Sequence, residues 1–303
     1  MNTLREPIDQ ADTLRTMRNR LDESTGNSGG SGPTRVFSIT SGKGGVGKTA
    51  IVSNLALSLA KQGKRVLIID ADLGLANIDV VFGLTPHHNL NHFFNDEQSL
   101  NDILVEGPAG IKILPAGSGI QRFTHLDAQQ KMRFIEALDT LHDGFEVVLI
   151  DTEAGISENV TYFNVAAQDI LVVTTPDPTA ITDAYALMKL LSVQHHQKRF
   201  YLIVNQVKDA DEGLDVYQKL TMVSNRYLDI SIDYLGGILF DKRMYESVRR
   251  QKAMVELYPG GKVSTAFGAL AQSLSRAPLR MEPKGTLQFF WKQFLSSGGE
   301  EEP

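Results

Sequence analysis

Cysteine is absent from all 303 residues, which excludes disulfides, thiolate nucleophiles and cysteine-ligated metals. That lack is compatible with a reducing compartment and does not establish one. No run of roughly 18 apolar residues occurs, and Met1 to Pro7 do not form a basic stretch leading into an apolar one. Neither a transmembrane span nor an export signal is read. Surplus positive charge is also missing: 30 Lys+Arg against 36 Asp+Glu leave a net charge of −6, so nucleic acid would have to be held by a local basic patch. What is present is ordinary globular composition, 42% hydrophobic and 22% charged, enough for one large domain or two small ones. Disorder throughout, collagen and coiled coil are excluded.

The chain divides by texture. Residues 8–21 place Ile8, Ala11, Leu14, Met17 and Leu21 at helical spacing among charges, which predicts a short amphipathic helix over 1–21. Residues 22–34 have almost nothing apolar to bury and read as a flexible tether with a reach of about 20 Å. From Arg35 the pattern becomes short apolar runs, at 36–40, 66–69, 147–150, 170–174, 201–204 and 237–240. Helical stretches lie between them at about 50–62, 126–142, 180–196 and 264–275. Strands covered on both faces and alternating with helices predict a doubly wound α/β domain with a mostly parallel sheet, spanning 35–282. Residues 283–303 form a second appendage.

The first apolar run leads into Gly42-Lys43-Gly44-Gly45-Val46-Gly47-Lys48-Thr49-Ala50 and then into a helix, the strand–loop–helix setting of G-x-x-x-x-G-K-[ST]. Glycines let backbone N–H groups turn toward phosphate, Lys48 reaches the β/γ-phosphates, and the Thr49 hydroxyl can ligate Mg²⁺. A glycine-rich structural turn would need neither Lys48 nor Thr49. Lys43 is a further lysine that an ordinary phosphate loop does not require. With it the loop resembles the deviant Walker A of the MinD/ParA ATPases, a P-loop NTPase group of the SIMIBI class. The resemblance implies a nucleotide-sandwich homodimer in which Lys43 acts in trans, as an arginine finger does.

Two further stretches extend the likeness. Asp70-Ala71-Asp72-Leu73-Gly74-Leu75-Ala76-Asn77-Ile78-Asp79 resembles the family's first switch, implying that Asp72 positions or deprotonates the attacking water and that Asp70 helps hold the Mg²⁺ shell. Leu149-Ile150-Asp151 has the Walker B form, making Asp151 a Mg²⁺ candidate. Glu153 stands where the family usually has Gly or Pro; a carboxylate near a triphosphate is unfavourable unless turned away or paired, for example with Lys43. Asn205-Gln206-Val207-Lys208 lacks the offsets of a guanine-reading N-K-x-D, so ATP is preferred over GTP. By resemblance Asn205 contacts adenine and Asp241 lies where the base pocket closes, while 174–183 match the family's loop facing the dimer interface.

The two ends carry their own signals. Leu287, Phe290, Trp291, Phe294 and Leu295 fall within a helical arc of about 140°, and four aromatics, the single Trp among them, stand within 289–294. Such a face must meet the core, a partner or lipid. The resemblance favours a membrane-targeting helix whose weak hold is doubled by dimerisation, with Glu300 to Glu302 opposing anionic lipid. Asp9-Gln10-Ala11-Asp12-Thr13-Leu14-Arg15 is similar to the D-Q-A-x-x-L-R signature of the flagellar MinD-like ATPases, the FlhG or FleN family. That likeness implies control of flagellar number and placement, stimulation of the signal-recognition-type GTPase FlhF through Gln10 with Leu14 and Arg15 docking, and contacts to flagellar switch-complex (C-ring) components. It further implies a bacterial cytoplasmic protein, peripheral on the inner face of the membrane at poles or flagellar sites. Two other readings stay open: a ParA-like partitioning ATPase carrying DNA on Lys242-Arg243 and Arg249-Arg250-Gln251-Lys252, and a regulatory interaction protein whose ATPase is vestigial, with Glu153 as its sign.

Overall fold

The computed structural model describes residues 34–72, 77–116, 128–141 and 144–276. The predicted helix at 1–21, the tether short of Thr34 and the appendage at 283–303 lie outside the described residues, and with them Gln10, Leu14, Arg15, Leu287, Phe290, Trp291, Phe294 and Leu295.

Eight strands form one sheet: β1 Arg35–Ser41, β2 Val66–Ala71, β3 Val105–Glu106, β4 Lys112–Leu114, β5 Val147–Ala154, β6 Asp169–Thr174, β7 Arg199–Val207 and β8 Ser231–Leu239. Their spatial order is β3-β4-β2-β5-β1-β6-β7-β8. Every pairing is parallel except β3 with β4 at the edge. The expected sheet is present, and each central strand alternates between two buried faces as a period of two requires. Val147 and Leu149 of β5 enter one core while Val148 and Ile150 enter another. In β7, Tyr201 and Ile203 join the first core, and Phe200, Leu202 and Val204 a third.

Helices cover both faces. One side carries α1 Lys48–Lys61, α2 Ile78–Phe82, α10 Met254–Leu257 and α11 Lys262–Arg276, packed through Ile51, Leu55, Met254 and Phe267. The other side carries α3 Leu90–Phe94, α4 Leu100–Ile103, α5 Ala128–Leu141, α6 Glu158–Ala166, α7 Pro178–His195 and α8 Ala210–Tyr227. A short helix, α9 Lys242–Arg249, follows β8. The helix α8 was not among the predicted stretches, although Asp209 caps it by accepting from the Glu212 N–H at 2.9 Å, a local start signal.

Arg35 ties three elements together at the amino end of the sheet. Its guanidinium donates to the Leu274 carbonyl at 2.6 Å and to Asp169 at 2.7 Å, and it lies over the Phe37 ring. At the opposite end, β2, β5 and β1 lie side by side, so their last residues and the loops after them meet at the carboxyl edge, where open α/β sheets bind ligands.

Candidate functional site

The loop after β1 is shaped by two left-handed glycines and one close approach. Gly45 has φ +79 and Gly47 φ +92. A Cβ on Gly42 would lie 2.1 Å from the Asp183 carbonyl oxygen of α7, so nothing larger than glycine fits there. Ser41 Oγ donates to the Lys43 carbonyl at 2.8 Å, and the Asn205 side-chain amide donates to the Val46 carbonyl at 2.7 Å. Asn205, far away in sequence, is thus a strut of the loop. Helix α1 opens at Gly47 with no side-chain cap, leaving its first N–H groups and its partial positive charge directed at whatever occupies the loop.

Around this helix end stand the predicted charged residues. Lys48 is buried, and burial lowers its pKa, against attraction from Asp151, Asp72 and Glu153. In register, Asp70 of β2 lies beside Asp151 of β5. Burial pushes the Asp151 carboxyl up to about 7, opposed first by the hydrogen bond from Thr49 and then by Lys48. Asp70 is pushed up to about 8, by burial and then by Asp151. Its oxygens accept the backbone N–H groups of Asp72 at 3.2 Å, Asn77 at 3.1 Å and Ile78 at 3.3 Å, so it pins both flanks of the segment between 72 and 77.

These residues fit a Mg²⁺–phosphate group. Asp151 Oδ1 is fully enclosed and has no hydrogen-bond partner among the described residues, a costly arrangement for a lone carboxylate and an apt one beside a cation. Among the described residues no cluster of three or more His, Asp or Glu could hold a metal alone. Mg²⁺ does not require one, because it commonly takes one or two carboxylates and completes its shell with phosphate oxygens and water.

Lys43 does not pair with Glu153. Its ammonium donates to Asp177 Oδ2 at 3.2 Å and to the Thr179 hydroxyl. Asp177 caps α7, accepting from the Thr179 N–H at 2.7 Å. Thr179 and Lys43 together hold this carboxyl down at about 2, the Thr179 hydroxyl being the larger cause. Glu153 is held instead by Ser157, whose hydroxyl donates to it at 2.7 Å. A polar cavity of about 360 Å³ opens beside the loop, lined by Lys43, Gly44, Thr175, Asp177, Gln206 and Glu212.

Asp241 caps α9, accepting from the Arg243 N–H at 2.9 Å, and is clasped by the Arg243 guanidinium at 2.6–3.1 Å. Gln206, which sequence reasoning left without a role, has φ +60 in the register irregularity between β7 and β8 and faces the cavity. A left-handed glutamine carries no local sequence signal.

Comparison with known proteins bears on the family and the fold. An AAA-domain family model matches residues 34–204. The antiactivator FleN of Pseudomonas aeruginosa is 44% identical over 263 residues, 87% of this chain and 94% of that protein. The flagellum site-determining protein YlxH of Helicobacter pylori is 36% identical over 270 residues, 87% of this chain and 90% of that one. Among solved structures, the cell division ATPase MinD of Pyrococcus furiosus superposes with a TM-score of 0.66 at 24% identity, covering 80% of this chain and 99% of its own. That last likeness carries the fold.

Proposed function

This chain belongs to the MinD/ParA-type P-loop ATPases, on the flagellar branch that includes FleN, and on that premise we propose that it is an ATP-dependent dimerising switch controlling flagellar number and placement. The observation that carries the reading is the convergence of the uncapped α1 N-terminus, Lys48, Thr49, Asp70, Asp72 and Asp151 at three adjoining strand ends. In this reading the backbone from Gly42 to Ala50 and Lys48 bind the triphosphate of ATP, and Asn205 and Asp241 border its base. Thr49, Asp151 and Asp70 would hold Mg²⁺, which when bound neutralises phosphate charge. Asp72 orients the attacking water. Lys43 leaves Asp177 and Thr179 to reach the partner protomer's phosphates. An exposed pairing of this kind is weak enough for a triphosphate to displace.

The domains divide the work: residues 1–21 engage FlhF through Gln10, Leu14 and Arg15, 22–34 tether them, 35–282 hydrolyse ATP slowly as a dimer, and 283–303 hold the inner membrane surface through the aromatic face. Switch-complex components and anionic lipid are the remaining partners. The DNA-carrying alternative is disfavoured by the local charge pattern, since Arg243 pairs with Asp241, Arg250 with Glu246 and Lys252 with Glu256. The test is solution molar mass of Asp72→Ala by light scattering. A mass near twice 33.4 kDa with ATP·Mg²⁺ and a monomer with ADP is the expected result. A monomer in both states, with ATP bound, would overturn the sandwich dimer and favour the vestigial-ATPase reading.

A further inference from the structure

Helix α10 begins without a cap of its own, because Ala253 before it has no side-chain acceptor to offer. The acceptor comes from α1 instead: Asn54 Oδ1 takes the Val255 N–H at 3.0 Å. Asn54 is buried, and its amide nitrogen donates to the Ala50 carbonyl one turn back at 2.7 Å, which fixes the direction of its oxygen. Two turns further along α1, Lys61 Nζ donates to the Val255 carbonyl at 2.7 Å. Both polar groups of the Val255 backbone are thus held from one helix, and that helix starts in the phosphate loop.

From α10 the connection runs on to Asp241. The Asn54 amide nitrogen also approaches Met244 Sδ at 3.9 Å, and the Met244 N–H donates to the Asp241 carbonyl at 3.0 Å. Tyr258, just past α10, donates to Glu246 at 2.9 Å, and its ring lies under the Arg243 guanidinium that clasps Asp241. Strand β8, which leads to Asp241, is three strands from β1, about 14 Å away, so the phosphate loop and Asp241 need a brace to keep a fixed separation. We propose that Asn54 is a positioning residue: by fixing α9 and α10 to the phosphate-loop helix it sets the place of Asp241, and through it the affinity of the site for a nucleotide base, without touching the nucleotide itself. The proposal rests on the reading of Asn205 and Asp241 as the border of the base.

The experiment is calorimetric titration of the full chain with ADP and with pyrophosphate, each with Mg²⁺; ADP is not hydrolysed and, in the proposed switch, leaves the chain monomeric. Asn54→Leu, close in size, removes both hydrogen bonds of the amide. The segment is then less often in place, and affinity for the base falls with that fraction. The ADP-over-pyrophosphate affinity ratio should drop about fivefold, the worth of one hydrogen bond. Pyrophosphate affinity should hold, because the Ala50 carbonyl keeps the Ser53 hydroxyl at 3.1 Å. Lys61→Met, at the exposed end of α1, releases only the Val255 carbonyl, and Tyr258→Phe releases only Glu246. Each should lower the same ratio about twofold. An unchanged ratio in Asn54→Leu, an unchanged ratio in both milder variants, or equal losses for the two ligands would overturn the positioning role. ADP binding no tighter than pyrophosphate in the wild-type chain would instead overturn the base-border reading beneath it.

Discussion

Replacing Gly47 by alanine tests whether the phosphate loop and strand β7 are one mechanical unit. Gly47 sits at φ 92, ψ 28, a left-handed conformation that costs a residue with a Cβ about 1–2 kcal/mol. The new Cβ would also lie 2.5 Å from the Asn205 side-chain nitrogen, and that nitrogen is already committed to the Val46 carbonyl at 2.7 Å. Asn205 is buried, so its amide cannot simply swing into water. Breaking its hydrogen bond adds about 0.5–1.5 kcal/mol. The sum is about 1.5–3.5 kcal/mol of lost stability, read as a lower urea midpoint at unchanged slope in nucleotide-free protein. A double-mutant cycle separates the two parts. In an Asn205→Ala background the steric conflict is gone, so Gly47→Ala should cost only the left-handed part, and the coupling should be about 1 kcal/mol. A Gly47→Ala loss below about 1 kcal/mol, or strict additivity with Asn205→Ala, would refute the claim that Asn205 braces the loop.

Asp169→Ala should destabilise by about 3 kcal/mol, because it removes the carboxylate that balances the buried Arg35 charge, whereas replacing Arg35 and Asp169 together by Met and Leu should cost much less; equal losses in urea melts would contradict this. In EDTA without nucleotide, stability should fall as pH rises from about 4 to about 8: the unfolded Asp70 and Asp151 ionise near their ordinary 3.8, while the folded ones hold protons up to about 8 and 7. Thermal melts across that range should show the decline, and Asp70→Asn should flatten it; stability rising with pH over this window would refute the assignment. Carboxyl-detected NMR should find Asp177 titrating near 2, with Thr179→Ala raising it more than Lys43→Ala, because the Thr179 hydroxyl is the larger of the two causes. The reverse order would mean that charge rather than hydrogen bonding holds it down.

What was legible in the sequence was what depends on neighbours along the chain. Five of the six apolar runs mark strands buried on both faces, the sixth catches only the end of the partly exposed edge strand β8, and G-x-x-x-x-G-K-T marks the loop because its chemistry sits in eight consecutive residues. The edge pair β3 and β4 escaped notice because two and three residues are too short for a period to register. Helix α8 escaped differently: its start signal at Asp209 and Glu212 is local, but exposed Leu214, Met222 and Tyr227 blur its apolar stripe. The partners of Lys43 and Glu153 show the deeper limit. Electrostatics near a triphosphate demanded that a carboxylate there be turned away or paired, and that requirement holds, yet sequence could not say with what. Ser157 lies one turn onward from Glu153 and captures it, while Lys43 is drawn to Asp177, 134 residues away, because parallel pairing of β1 with β6 carries the loop after each strand to the same edge. Charge balance can thus be argued from residue types, but the pairing that satisfies it is a property of strand order. The site is for that reason most exposed to substitutions at Asp177 and Ser157, which lie outside the phosphate-loop motif.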